Sequence, residues 1–229
     1  MARTLFSILL ILCGILATSS FAQEAPRAVL VDEHGRLACD DSLSRIDLFF
    51  AELANRPSAR GFVVISGNPE QKISAAFREA TIEAHTAWRN FPAERFDIVR
   101  AQSDDELKVQ YWFLPPGAER PNVARIDTTY ALPRGLKPFI LTAEGAVGAT
   151  CTEVSGVEIF AKFLRDNPSA RGNLVVRERT LQRAGAEGRR LLRKFESKHG
   201  ISRKRLRLFT GTRRENDYNV PIVEYWFLP

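Results

Sequence analysis

The chain states one pattern twice, and this limits its fold more than any other feature. Residues 28–115 and 138–229 share the same landmarks in the same order. Asn55-Arg56-Pro57-Ser58-Ala59-Arg60-Gly61 returns as Asp166-Asn167-Pro168-Ser169-Ala170-Arg171-Gly172, and Tyr111-Trp112-Phe113-Leu114-Pro115 returns as Tyr225-Trp226-Phe227-Leu228-Pro229. A repeat of this length is a duplicated domain rather than a solenoid unit. Whatever architecture one copy adopts, the other is expected to adopt as well.

Within a copy, hydrophobic spacing sets the element order. A short apolar segment and a turn come first, Val29–Gly35 and Phe139–Gly145. An amphipathic helix follows, with Leu43, Ile46, Phe49, Phe50 and Leu53 at spacings of three and four, matched by Val154, Val157, Phe160 and Leu164. Asp40, Asp41 or Ser42 suits the start of the first helix, and Thr152 or Glu153 that of the second. Pro57 and Pro168, with Gly61 and Gly172, end them.

A β-branched strand comes next, then a second helix over about Ser74–Phe91 or Leu181–His199, then two strands. The expected fold is α+β: two repeated small α/β sandwiches, each with helices on one face of a short mixed sheet. The boundaries are 1–22 signal peptide, 23–116 first repeat, 117–137 linker and 138–229 second repeat.

Strand parity predicts which residues face the helices. Val109, Tyr111 and Phe113 share one side of the last strand, as do Val223, Tyr225 and Phe227. The opposite side carries Trp112 and Leu114, or Trp226 and Leu228. Such a face is too apolar to stand open to water. The two sheets are therefore expected to pack on each other as a pseudo-dimer, with Trp112 near Trp226 and Asp97 near Arg207. The other reading has the tryptophans stacking on sugar rings or on a partner protein.

The N-terminus carries an address. Arg3 gives a positive start, Leu5–Ala17 is an apolar run, and Ser20-Phe21-Ala22 offers small residues to a signal peptidase. The run is shorter than the roughly 20 residues that span a bilayer. The mature chain is expected to begin near Gln23, to carry no transmembrane segment, and to be periplasmic or secreted. In an oxidising compartment Cys39 and Cys151 are expected to form a disulfide. No metal or cofactor is expected, because two cysteines with His34, His85 and His199 show no ligand spacing.

Charge is distributed unevenly. Residues 23–137 hold 15 basic and 17 acidic side chains, whereas 138–229 hold 17 and 10. A basic domain attracts anionic glycan, lipid head groups or acidic protein, and export argues against nucleic acid. Arg189, Arg193 and Lys194 share one side of a predicted helix, with Arg205 and Arg207 close behind in sequence. There is no Gly-x-Ser-x-Gly elbow, phosphate-binding glycine loop or His-Glu-x-x-His. His85 reads as a surface or boundary residue and Asp104-Asp105-Glu106 as a solvated turn. No enzyme is expected.

The run of helix, proline-led strand, long helix and Gly-Ile-x-x-x-Arg link resembles the OmpA-like domain. Leu164-Arg165-Asp166-Asn167-Pro168 leading into Leu174-Val175-Val176 carries the first half, and Gly200-Ile201-Ser202-Arg203-Lys204-Arg205 the second. The resemblance implies a cell-envelope location and binding of peptidoglycan through an arginine in the second helix and an aspartate after the first strand. Counting back 17 residues from Arg95 reaches Arg78, whereas the same count from Arg205 reaches Gly188. The aspartate position is held by Ser66-Gly67-Asn68 or Arg177-Glu178-Arg179, so Asn68 offers hydrogen bonds without charge. The opening from Asp32-Glu33-His34-Gly35 to Cys39-Asp40-Asp41 also resembles a group of small exported bacterial proteins without assigned activity. The expected function is a non-enzymatic envelope-binding module for an anionic component, peptidoglycan or another envelope polymer, using Arg78, Asn68, Arg189, Arg193, Lys194 and Arg205. The alternative is a structural or assembly protein that acts through contacts with other envelope proteins.

Overall fold

The computed structural model describes residues 25–124, 136–145, 155–213 and 220–229. The first unit runs β1 (Val29–His34), α1 (Cys39–Ala54), β2 (Arg60–Gly67), α2 (Lys72–Trp88), β3 (Phe96–Gln102) and β4 (Lys108–Leu114). The second repeats it as β5 (Phe139–Glu144), α3 (Gly156–Asp166), β6 (Arg171–Glu178), α4 (Leu181–His199), β7 (Leu206–Thr212) and β8 (Ile222–Leu228). The protein is thus an α+β fold of two similar units, each with a four-stranded mixed sheet.

The sheets have equivalent topology, β1-β4-β2-β3 and β5-β8-β6-β7. β2 and β3 are parallel, as are β6 and β7, while β4 and β8 run antiparallel to both of their neighbours. The last strand of each unit is therefore inserted between the first and second. Both edge pairings carry an irregularity at the same place, Leu30/Asp32 and Ile140/Thr142. A shared defect of this kind is a feature of the fold rather than an accident.

Strand parity agrees with the sequence reading. Val109, Tyr111, Val223, Tyr225 and Phe227 are buried in a core built with Leu43, Ile46, Phe49 and Leu53 of α1 and with Ile159, Phe160 and Leu164 of α3. Gly61 and Gly172 lie at the base of β2 and β6, where a methyl group would meet Phe49 Cζ at 2.6 Å and Phe160 Cζ at 2.3 Å. Close ring approach requires glycine at both equivalent positions.

Helix ends are handled differently in the two units. α1 has Asp40 and Asp41 in its first turn and no side-chain cap. At α3 the Gly156 amide and the Ser155 hydroxyl both reach the carboxylate of Glu144, which arrives from the end of β5. Thr180 caps α4 by accepting from the Arg183 amide at 3.2 Å, and Gly200 closes that helix with φ +66°.

The outer face of the first sheet is covered by its own chain. Ala28, Ala118 and Val123, with Trp112, pack on Phe62, Val64, Val99, Ala101 and Leu114. Arg120 bridges to Asp97 at 2.5 Å and lies 5.4 Å from the Phe62 ring centre. This corrects the expected sheet-on-sheet packing. Trp112, half-buried, stands beside residues 25–28 and 117–121 rather than Trp226, and Asp97 binds Arg60 and Arg120 rather than Arg207. The units meet through helices instead, α2 lying against α3.

Candidate functional site

The arginine singled out by the family resemblance occupies a distinctive place. Arg78, midway along α2, is half-buried and lines an open cavity of about 730 Å3. Its guanidinium donates to Ser42 Oγ at 3.1 Å and to the Leu37 carbonyl at 3.4 Å. Both partners are neutral. Burial, with the charge of nearby Arg36 adding to it, holds Arg78 below the ordinary arginine value. Among the described residues no carboxylate meets this guanidinium, which suits an anion.

Both units contribute to the cavity. Arg36, Gln71, Ser74 and Glu106 give it polar groups from the first, while Phe139, Ile140 and Leu141 of β5 form an apolar wall from the second. Cys39 also lines it. Cys151 lies outside the described residues, as does the expected pairing of the two.

Comparison of the units shows what the first one lacks. In the second, Tyr225 donates to Glu144 at 3.0 Å, so the buried phenol has a carboxylate of its own. The position of Glu144 in the strand register is taken by His34 in the first unit, since Glu144 pairs with Val223 and His34 with Val109. Tyr111 is fully buried, and among the described residues neither its hydroxyl nor the buried His34 Nε2 has a hydrogen-bond partner. The rings lie 5.8 Å apart, and the charges of Arg78 and Arg45 act on both. His34 Nδ1 lies 2.8 Å from the Gly35 carbonyl. Burial lowers the His34 pKa below its usual value.

The remaining expected ligand residues divide. Asn68 is a capping residue: its Oδ1 accepts from the Glu70 amide at 3.1 Å, while Gln71 Oε1 accepts from the Asn68 amide at 3.2 Å. Arg205 is structural too, because its guanidinium donates to the carbonyls of Ala170, Leu164 and Asn167 at 2.8–2.9 Å. Arg95 does the same in the first unit, to Leu53, Arg56 and Ala59. The arginine of the Gly-Ile-x-x-x-Arg link thus ties down the turn between first helix and second strand, and its carbonyl partners remove it from the ligand set. Lys194 pairs with Glu158 at 3.4 Å, alongside Lys198 at 2.9 Å. Arg189 and Arg193 stay exposed with no ion pair among the described residues.

No protein-family model matches this chain, and no curated protein matches it at a significant level.

Two charged clusters were not among the expected sites. Lys162 of α3 reaches Glu83 at 3.2 Å, Asp166 at 3.3 Å and Glu79 at 3.4 Å, and Arg100, only 4% exposed, meets Glu79 at 2.7 Å. The i,i+4 spacings of Glu79 with Glu83 and of Lys162 with Asp166 are visible in sequence; the contact that joins them is not. His85 is fully buried rather than at the surface. Its Nε2 lies 2.8 Å from Asp47 Oδ1, and its ring sits near Phe50 and Trp88. This contact ties α1 to α2. Among the described residues no group of three His, Cys, Asp or Glu side chains has the arrangement of a metal site, and no helix is long and apolar enough to cross a membrane.

Proposed function

We propose that this protein is an exported, non-enzymatic module of the cell envelope that binds an anionic component through a carboxylate received at Arg78. One observation carries the reading: among the described residues no acid meets Arg78 and no partner meets the Tyr111 hydroxyl or His34 Nε2 beside it, where the second unit places its own Glu144 on Tyr225. A ligand carboxylate in the first unit would play the part that Glu144 plays in the second. The resemblance to OmpA-like domains points in the same direction and suggests peptidoglycan as the envelope polymer. Arg189 and Arg193 add a long-range pull for anions from the exposed side of α4. The proposed Cys39–Cys151 disulfide would brace one wall of the cavity.

The test is co-sedimentation of the mature chain with peptidoglycan sacculi across a salt series. A charge-assisted hydrogen bond contributes about 1.5–3 kcal/mol, so Arg78→Ala weakens pelleting by roughly 10- to 100-fold. Arg78→Lys keeps the charge but loses the fork, and recovers only part of the binding. Arg193→Ala changes mainly the salt dependence. Unaltered pelleting by well-folded Arg78→Ala removes the cavity as the binding site.

A further inference from the structure

The outer faces of the two sheets are equivalent in register and unequal in cover. In the first unit Phe62, Asp97 and Trp112 stand side by side beneath residues 115–124; in the second the matching trio is Asn173, Arg207 and Trp226. Among the described residues nothing comparable packs on the second face. Ile140 is 47% and Phe209 49% exposed, Val175, Trp226 and Leu228 are half-buried, and Arg207 is exposed with no acidic partner among the described residues.

We infer that this face docks an extended, proline-containing, acidic segment of another polypeptide. Three points support that occupant. The cover of the first sheet is itself a proline-rich, non-helical segment with Pro115, Pro116 and Pro121, turning once at Pro116-Gly117 before it runs on over the sheet. Prolines hold such a segment extended at low entropic cost and suit an aromatic surface. In the first unit the key ion pair is a cation of the cover on Asp97 of the sheet; in the second the sheet supplies the cation, Arg207, so the cover supplies the acid. A second copy of this chain would present the same face, whose described acid, Glu224, is already paired, so it offers Arg207 no free carboxylate. Glu224 does not serve as the missing acid, since it already binds Arg177 and accepts from Trp226 Nε1 at 2.9 Å.

Two fluorescent peptides test the inference against the full mature chain. One has the sequence of residues 115–124; the other is the same with Arg120→Glu. Anisotropy titrations are expected to show the acidic peptide binding at least about tenfold more tightly than the unchanged one. Arg207→Glu, a surface change that leaves the core intact, is expected to reverse that order. No binding of either peptide up to about 1 mM, or a preference indifferent to Arg207→Glu, overturns the inference. A dimer in sedimentation that is broken by Phe209→Asp overturns it as well, since the face then belongs to a second copy. So does shielding of Trp226 from acrylamide in the isolated protein, since the face is then already covered.

Discussion

Removing Lys162 should be the most damaging single change at the contact between the units. Its side chain is 13% exposed, and its ammonium lies within 3.2–3.4 Å of three carboxylates, one of which, Glu79, also holds the buried Arg100. Burial alone would lower its pKa, but Glu83, Glu79 and Asp166 outweigh that and raise it. Each contact is worth about 5 kcal/mol of gross attraction at an effective dielectric constant near 20, most of it offset by desolvation. Breaking a buried pair costs about 3–5 kcal/mol, because the partners are left crowded and uncompensated. The lower end applies here, since Glu83 and Asp166 still reach water. Lys162→Met keeps the apolar stem and isolates the charge effect. With a urea dependence of about 2–3 kcal/mol per molar, the unfolding midpoint at pH 8 should fall by about 1–1.5 M. Glu83 has its pKa raised by burial, opposed by Lys162, and loss of the lysine raises it further. A carboxyl group with a raised folded pKa contributes stability that is present at low pH and lost as pH rises through that value. The variant should therefore be penalised less at pH 5 than at pH 8, and adding Glu83→Gln should recover part of the loss. A midpoint shift below about 0.3 M at pH 8 would refute this account of the network.

Other outcomes follow from the same geometry. Arg205→Ala strips three carbonyls of a charged donor and should cost about 2 kcal/mol in thermal or urea unfolding, while sacculus binding by the folded protein stays unchanged; lost binding at full stability would return Arg205 to the ligand set. His34 and His199 both have pKa values lowered mainly by burial from 6.5. The folded state thus refuses protons that the unfolded chain accepts, and stability should decline as pH falls below about 6.5, by up to about 1.4 kcal/mol per pH unit for each proton. His34→Gln should flatten that decline between pH 6.5 and 5, and an unchanged slope would mean that His34 is not the group responsible.

The element order was legible because helix and strand periods differ and the pattern occurs twice. Tyr111 and Tyr225 were placed on the helix side by parity alone. The same parity made an apolar outer face, yet it carried no information about what covers that face. Residues 116–124 have no periodicity to announce a cover, so the sequence does not show what lies beside Trp112. Arg205 looked like part of a basic patch because sequence shows charge but not the carbonyls that a guanidinium meets. Asn68 offers a ligand amide and a helix cap alike in sequence, and the proline one position later favours the cap. His85 shows the limit of local pattern most plainly, since its burial depends on Asp47, 38 positions earlier in the chain.

The placement of β4 and β8 bears on how such a chain emerges from a ribosome or a translocation channel. Each is the last strand of its unit and pairs with two neighbours, so Val29 waits for Phe113 and Phe139 for Phe227. Until that strand arrives, β1 or β5 has no partner and the sheet has a gap at its centre. Pairings so distant in sequence form late and slowly. A partly emerged unit therefore stays pliable, and each sheet closes only when its final strand is threaded into the middle.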